Sequence, residues 1–479
     1  MIDKEHVHTN VVSPEVLACT HDASGWRWVP TKVTSLDADR VASLLAQEWA
    51  RFKASTPNSA DAHRAALDVI PLGVPSSFQH WDPYPLTVRS ASGSRVVDAD
   101  GRDLIDLSMG FGAVLVGHLH PLVVKRCQEA LATGTLFVTP SEVTTEAARR
   151  LCARFGLEQI RFTNSGTEAL MYAVRLAKVY KRRDAIVKIE GGYHGGFDPL
   201  LVSVKPAAAA AGREGFPVAV RAEGTEPGVV HVTPYNDLEH LRSVLAAHAD
   251  TIAAVVMEPV LENLSIVLPD AGYLAGVRAL CDEYDVLLVF DEVKTGLTAG
   301  NHGASASLGV HADLVCFAKS IAGGLAVGAF GGDAEVMAEI SSGRCSQMGT
   351  YNGNPLGMAA VIAVDEIVTD AALAAATSLN VRTLMQHAGV IDAYQLPAHT
   401  VGFGVKGAVT WSPAPVRNYR DYLRVDFAAA ELNWLWMLNR QIITPPGLDD
   451  QWLVSLAHTE ADMAAAVDAF ESLAKALRA

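Results

Sequence analysis

The chain has 479 residues, half of them hydrophobic and 19% charged, which describes a globular protein and excludes a disordered one. Its 38 Lys and Arg against 53 Asp and Glu leave a formal net charge of −15. So acidic a chain lacks the basic footprint of a nucleic-acid binder and is equally unsuited to an anionic membrane surface. No run of 18 uninterrupted apolar residues occurs, so no ordinary transmembrane helix is expected. Met1 to His6 carries acids where a signal peptide would be basic. Cys19, Cys127, Cys152, Cys281, Cys316 and Cys345 are scattered without a CxxC and read as reduced thiols of a cytoplasmic protein.

Residues 1–70 are helical in flavour, with Ser35 as the expected cap of a helix whose apolar positions include Val41, Leu44, Leu45 and Trp49. An extended segment at 81–85 leads into strands at 86–89, 95–98 and 104–107, with turns at Ser92-Gly93 and Asp100-Gly101. From about 140 to 330 short apolar strands alternate with helices. The expected strands are 160–163, 185–189, 252–257, 286–290 and 314–318. Near-continuous apolar strands separated by helical segments indicate an α/β fold with a mainly parallel sheet covered on both faces. The stretch 206–212 reads as a loop or loose helix, and a smaller layer follows residue 355.

Ligands bind at the carboxyl ends of such strands. Asn164-Ser165-Gly166-Thr167-Glu168 follows the first strand, Tyr193-His194-Gly195 the second, and Glu258 with Asn263 the third. Asp291 follows the fourth and Lys319 the fifth. Ser165-x-x-Glu168 is a capping box, and a glycine-containing helix start is also an anion cradle. Asp291 alone could cap a helix or pair with arginine, and Lys319 alone could face solvent. Together they fit pyridoxal phosphate, which needs a lysine to form an imine, an acid against the pyridine nitrogen and a phosphate cradle. The 28 residues between them allow one crossover helix, and Tyr193 or His194 could stack on the ring. There is no GxxxxGK[ST], HExxH or GxSxG, no metal site is expected, and His118-x-His120 reads as a turn.

FTNSGTEA at 162–169, EGGYHG at 190–195, VFDEVKTG at 289–296, FAKSIAGG at 317–324 and GTYNGNPL at 349–356 resemble the class III, fold-type I pyridoxal-phosphate aminotransferases. WLVSLAHTEAD at 452–462 is similar to the glutamate-1-semialdehyde aminomutase branch among them. The resemblance implies a large domain with a mostly parallel seven-stranded sheet and a small domain from both chain ends. It divides the chain into an N-terminal extension (1–70), an N-terminal part of the small domain with the crossing segment (71–125), the cofactor domain (126–358) and a C-terminal small domain (359–479).

By the same resemblance Lys319 is the Schiff-base lysine, Asp291 pairs with the pyridinium, and Val293 packs on the ring opposite Tyr193. Ser165, Gly166 and Thr167 hold the phosphate. Glu258 and Asn263 lie near the ring, and Thr350 reaches the cofactor of the other subunit in a homodimer. The expected activity is amino transfer between a small-molecule amino donor and a carbonyl acceptor. The alternatives are an intramolecular aminomutase or a racemase using the same residues. Two departures concern the substrate. The aminomutases carry a carboxylate-binding arginine where Gln79 stands, and the related β-amino-acid aminotransferases carry one about where Ser76 stands. Lys294, Lys406, Arg344 or Arg417 could supply a cation instead, against a wall of Phe111 or Trp81. Lys294 could equally face solvent or pair with Glu292.

Overall fold

The computed structural model describes residues 21–22, 25–445 and 451–479; Cys19 and the chain start lie outside them. A seven-stranded sheet organises the molecule. Its strands in chain order are β5 (Gln159–Thr163), β6 (Ala185–Ile189), β7 (Val230–Thr233), β8 (Ile252–Met257), β9 (Leu287–Asp291), β10 (Leu314–Phe317) and β11 (Gly328–Gly332), counting four N-terminal strands given below as β1 to β4. Their spatial order is β7-β6-β8-β9-β10-β11-β5, parallel except for β11. β6, β8 and β9 are buried at every position. Alternate residues go to opposite faces: Val256 and Val289 pack with Leu170 and Val174 of the helix Gly166–Lys181. Val255 and Leu288 pack with Leu274 and Val277 of the helix Tyr273–Glu283.

Two strands escape the apolar pattern. β7 is an edge strand that carries His231. β11, with three glycines in five residues, has the composition of a loop. Its glycines are there because backbone runs against backbone. A Cβ on Gly328 would lie 2.4 Å from the Ser165 carbonyl oxygen, and one on Gly332 2.0 Å from that of Asp313.

β1 (Gly25–Trp28) is a strand within the region of helical composition, and it pairs antiparallel with His399–Phe403 near the other end of the chain. β2 (Val88–Ser92), β3 (Arg95–Asp98) and β4 (Asp103–Asp106) form the expected meander, joined in parallel at β4 by Ile442–Ile443. The N-terminal helix Ala38–Ser55 is capped by Asp37, not Ser35: the carboxylate accepts from the N–H groups of Asp39 (2.9 Å) and Arg40 (3.3 Å). Trp49 and Phe52 of this helix pack with Trp81 and Trp434. Trp81 is thus committed to this aromatic cluster. Among the described residues no helix is long and apolar enough to cross a membrane, and no cluster of His, Cys, Asp and Glu could hold a metal.

Candidate active site

The carboxyl ends of the parallel strands open into a cavity of about 330 Å³, lined by Lys319, Asp291, Tyr193, Glu258 and Thr167 among others. That is the size of a small-cofactor pocket. Asp291 is the last residue of β9 and is 4% exposed. One carboxylate oxygen accepts from the Val293 N–H at 3.0 Å; the other lies 2.8 Å from His194 Nδ1. Burial holds the imidazole of His194 below its usual pKa, against the pull of Asp291. A neutral ring must place its proton on Nδ1 to donate to the carboxylate. His194 thus holds Asp291 by its ring edge, and it lines the cavity beside Tyr193. Its Nε2 is buried without a partner in the structure. Tyr193 is one of the aromatics on the cavity wall, edge-on to Phe78 at 5.2 Å between ring centroids.

Lys319 begins a 3-10 turn after β10 with φ +48°, a conformation L-residues seldom adopt and one that marks functional sites. Desolvation by the surrounding protein is the first cause that lowers its amine to about 8, and the nearby charge of Lys294 the second.

Another wall of the cavity is the first turn of the helix Gly166–Lys181, where backbone N–H groups lack helical acceptors. A Cβ on Gly166 would lie 2.8 Å from the Val293 side chain, so glycine brings this backbone close to the site. Ser165 Oγ accepts from the Glu168 N–H at 3.2 Å, but the Glu168 carboxylate reaches Asn164 N and Nδ2 (2.9 and 3.0 Å), so the expected capping box closes one residue early. Thr167 Oγ1 accepts from the Gly196 N–H at 3.2 Å. A lysine, an oriented carboxylate and an anion cradle thus face one cavity, and the residues fit pyridoxal phosphate.

The family profile described as "Aminotransferase class-III" matches residues 77–410. The chain belongs to this family. It is 35% identical over 414 residues to a glutamate-1-semialdehyde 2,1-aminomutase of Methanocella arvoryzae, covering 85% of this chain and 96% of that one. A glutamate-1-semialdehyde aminomutase from Pseudomonas aeruginosa superposes with a TM-score of 0.85 at 27% identity, over 93% of this chain and all of that one. An omega-transaminase from Sphaerobacter thermophilus does so with 0.84 at 30% identity, over 88% and 98%. The fold is that of the fold-type I enzymes, and the cofactor is pyridoxal phosphate.

In this class III enzyme Glu258 and Asn263 stand beside the cavity. Asn263 Nδ2 donates to Glu258 Oε1 at 2.9 Å and to the Tyr193 carbonyl at 3.2 Å. Burial, then the charge of Asp291, pushes Glu258 up to about 8. Val293 lines the cavity, whereas Thr350 is exposed and does not line the cavity of its own chain. Of the four cations considered, Arg344 pairs with Glu339 and Arg417 with Asp270, both away from the cavity. Lys406 pairs with Glu262 at 2.5 Å. Lys294 is buried and lines the cavity, so it does not face solvent. It does not pair with Glu292 either, whose carboxylate accepts from the N–H groups of Ala304 and Ser305 (2.6 and 2.9 Å). Phe111 is on the wall as expected, and Trp81 is not. Gln79 is exposed and lines a different groove, with Trp81 and His63; its neighbour Phe78 reaches the cavity instead.

Two supports of the Tyr193 loop were not anticipated. Lys188, fully buried in β6, donates to the carbonyls of Gly192 (2.8 Å) and Val202 (2.5 Å). Arg420 forms a buried two-pronged pair with Glu190 at 2.6 and 3.0 Å. A lysine inside an otherwise apolar strand was the available signal for the first. Arg420 lies 230 residues from its partner and gave none.

Proposed function

We propose that this class III enzyme transfers an amino group between two small molecules, an amino donor and a carbonyl acceptor. When bound, pyridoxal phosphate supplies the electron sink for loss of a proton next to the amine. The chain supplies the rest. Lys319, with its amine held near the working pH range, is the base that takes a proton from the substrate carbon and delivers it elsewhere. Asp291, fixed by His194 and the Val293 N–H, presents an oriented carboxylate at the end of β9. The N–H groups of Gly166 and Thr167 hold the phosphate. Val293, Phe78, Phe111 and Tyr193 exclude water around the reacting atoms.

The observation that carries transfer over isomerisation is on the substrate side. No arginine occupies either family position for the substrate carboxylate: Ser76 and Gln79 are both exposed, and Phe78 lines the cavity between them. A bidentate guanidinium is not replaced by a neutral amide.

The second reading is an intramolecular amino shift. The names of the relatives favour it: both the Methanocella protein and the Pseudomonas structure are named as glutamate-1-semialdehyde aminomutases, and on names alone it stands ahead of transfer. Incubating the pyridoxamine-loaded enzyme with a panel of keto acids and following cofactor absorbance separates the two. Return of the pyridoxal spectrum with release of a new amino acid supports transfer. Efficient conversion of glutamate-1-semialdehyde to 5-aminolevulinate, with no response to keto acids, overturns it.

The same proposal includes a homodimer in which Thr350 serves the cofactor bound by the other protomer, since it does not line the cavity of its own chain. Mixed dimers of Lys319→Ala and Thr350→Ala chains are expected to regain part of the activity; no recovery refutes the sharing.

A further inference from the structure

Three charged side chains from three separate elements meet beside the cavity. Glu262 follows β8, Lys294 follows β9, and Lys406 begins the strand Lys406–Thr410. All three are buried, at 1%, 9% and 2% exposure. Lys406 Nζ takes the Glu262 carboxylate at 2.5 Å and also donates to the Lys294 carbonyl at 2.7 Å. That pair is neutral, which leaves the Lys294 ammonium. Its Nζ donates only to the Glu262 carbonyl, at 2.5 Å, and no carboxylate of the described residues forms an ion pair with it. An ammonium has three donors, so two remain.

The other acids around it are engaged. Asp291 faces His194 and the Val293 N–H. Glu292 is held by Ala304 and Ser305. Glu258 accepts from Asn263 and from the Glu262 N–H; burial raises its carboxyl and the charge of Lys294 pulls it down, with no hydrogen bond between the two. A buried cation with no carboxylate in hydrogen-bond contact is poorly compensated. Lys294 lines the cavity, so an anion entering that cavity can supply the missing charge.

We propose that Lys294 is the anion anchor of the substrate site, and that the amine or carbonyl compound handled there carries a carboxylate. The anchor reaches it from the end of β9, whereas the family's arginine positions are Ser76 and Gln79, at the start and end of the Ser77–Gln79 turn. The inference rests on the reading that this cavity turns over an amine. It deepens that reading by naming the substrate class: amino acids whose carboxylate sits at the distance Lys294 sets, and not simple amines.

The test pairs β-alanine, 4-aminobutyrate and 6-aminohexanoate with the alkylamines that lack the carboxylate. Each is followed as a half-reaction of the pyridoxal-phosphate-loaded enzyme by cofactor absorbance. At least one amino acid is expected to exceed its alkylamine in kcat/KM. The ratio within that pair is expected to fall about tenfold or more in Lys294→Met, the size of a lost charge-assisted hydrogen bond, and to survive in Lys294→Arg. Using a ratio cancels any general effect of the substitution on Lys319 or on folding. In a second arm, binding of glutarate and adipate, which have no amine, is measured by calorimetry and is expected to weaken in Lys294→Met. An unchanged ratio and unchanged dicarboxylate binding overturn the proposal. So does a loss confined to pyridoxal phosphate affinity in equilibrium dialysis, which would make the cofactor's own phosphate the anion. If none of the amines reacts, the amino-transfer reading fails, and the dicarboxylate arm alone decides the role of Lys294.

Discussion

The titration of Lys319 offers a direct measure of the site before any chemistry takes place. An ordinary lysine titrates at 10.5, and this one at about 8. At pH 7.5 that difference raises the neutral, nucleophilic fraction from roughly 0.1% to roughly 25%. The perturbation is pH itself, applied to enzyme stripped of cofactor. The assay is labelling by a small aryl electrophile, with quantitation of the peptide that contains Lys319. The labelling rate is expected to reach half its plateau near pH 8 and to level off about one unit higher. Desolvation is the larger cause and the charge of Lys294 the second, so Lys294→Met should move the midpoint upward while leaving it below 10.5. A midpoint at 10 or above in the unmodified chain, or a downward move in Lys294→Met, would refute the account.

The same shift has a consequence for stability. Between about 8 and 10.5 the unfolded chain binds the proton that folded Lys319 has released. The term ν_U − ν_N is therefore positive, and this group's contribution to stability rises with pH across that window. Below about 8 both states hold the proton and the penalty of desolvating it is paid in full. Melting curves of the stripped enzyme should rise less across the window in Lys319→Met than in the unmodified chain, because Lys188, lowered to about 7, still contributes.

Other expectations follow from the same geometry. Asp291→Ala should lower kcat by roughly a hundredfold or more, as expected for a group that acts on developing charge, with a smaller effect on cofactor affinity. His194→Ala should cost less, and it should cost nothing further in the Asp291→Ala background if His194 works only by orienting that carboxylate; additive losses would show an independent role. Arg420→Leu leaves Glu190 buried without its partner and should destabilise the fold by about 3–5 kcal/mol in denaturant titrations, whereas removing both charges should cost less. Gly328→Ala forces a Cβ to within 2.4 Å of the Ser165 carbonyl, so it should lower stability by about 1–3 kcal/mol or more and weaken pyridoxal phosphate binding through the displaced Ser165–Gly166 turn. An alanine variant with unchanged melting temperature would mean that β11 can move away from β5.

Much of the frame was legible in the chain. The strands Ala185–Ile189 and Ile252–Met257 coincide with their apolar runs, because a strand buried on both faces must be apolar at every position. The polar residues just beyond five such runs meet in one cavity, because parallel strands align their carboxyl ends. What escaped has identifiable causes. β11 was hidden because tight backbone contact demands glycine, and glycine carries no hydrophobic signal. Asp37 displaced Ser35 as a cap because both are good caps and only the chain's path chooses between them. The hydrogen bond of His194 to Asp291 gave no signal, because its partner lies 97 residues away.

Lys294 shows most clearly what a sequence leaves open. Solvent exposure, pairing with Glu292 and a place in the substrate site were compatible with its position beside Asp291 and Glu292. The decision comes from elements distant in the chain. Ser305 and Ala304 occupy Glu292, and Lys406, 144 residues from Glu262, occupies that carboxylate. Once those pairings are made, each acid near Lys294 has a partner and the ammonium has only a backbone carbonyl. Charge balance in a buried cluster belongs to the whole cluster. It follows that changing Lys406 should change substrate choice without Lys406 lining the cavity: Lys406→Met frees the carboxylate of Glu262, the residue whose backbone carbonyl already accepts from Lys294. That variant should lose the preference for carboxylate-bearing amines much as Lys294→Met does, and adding Glu262→Gln should restore it. A preference that survives Lys406→Met intact would show that Glu262 cannot turn toward Lys294, and that the two lysines act separately.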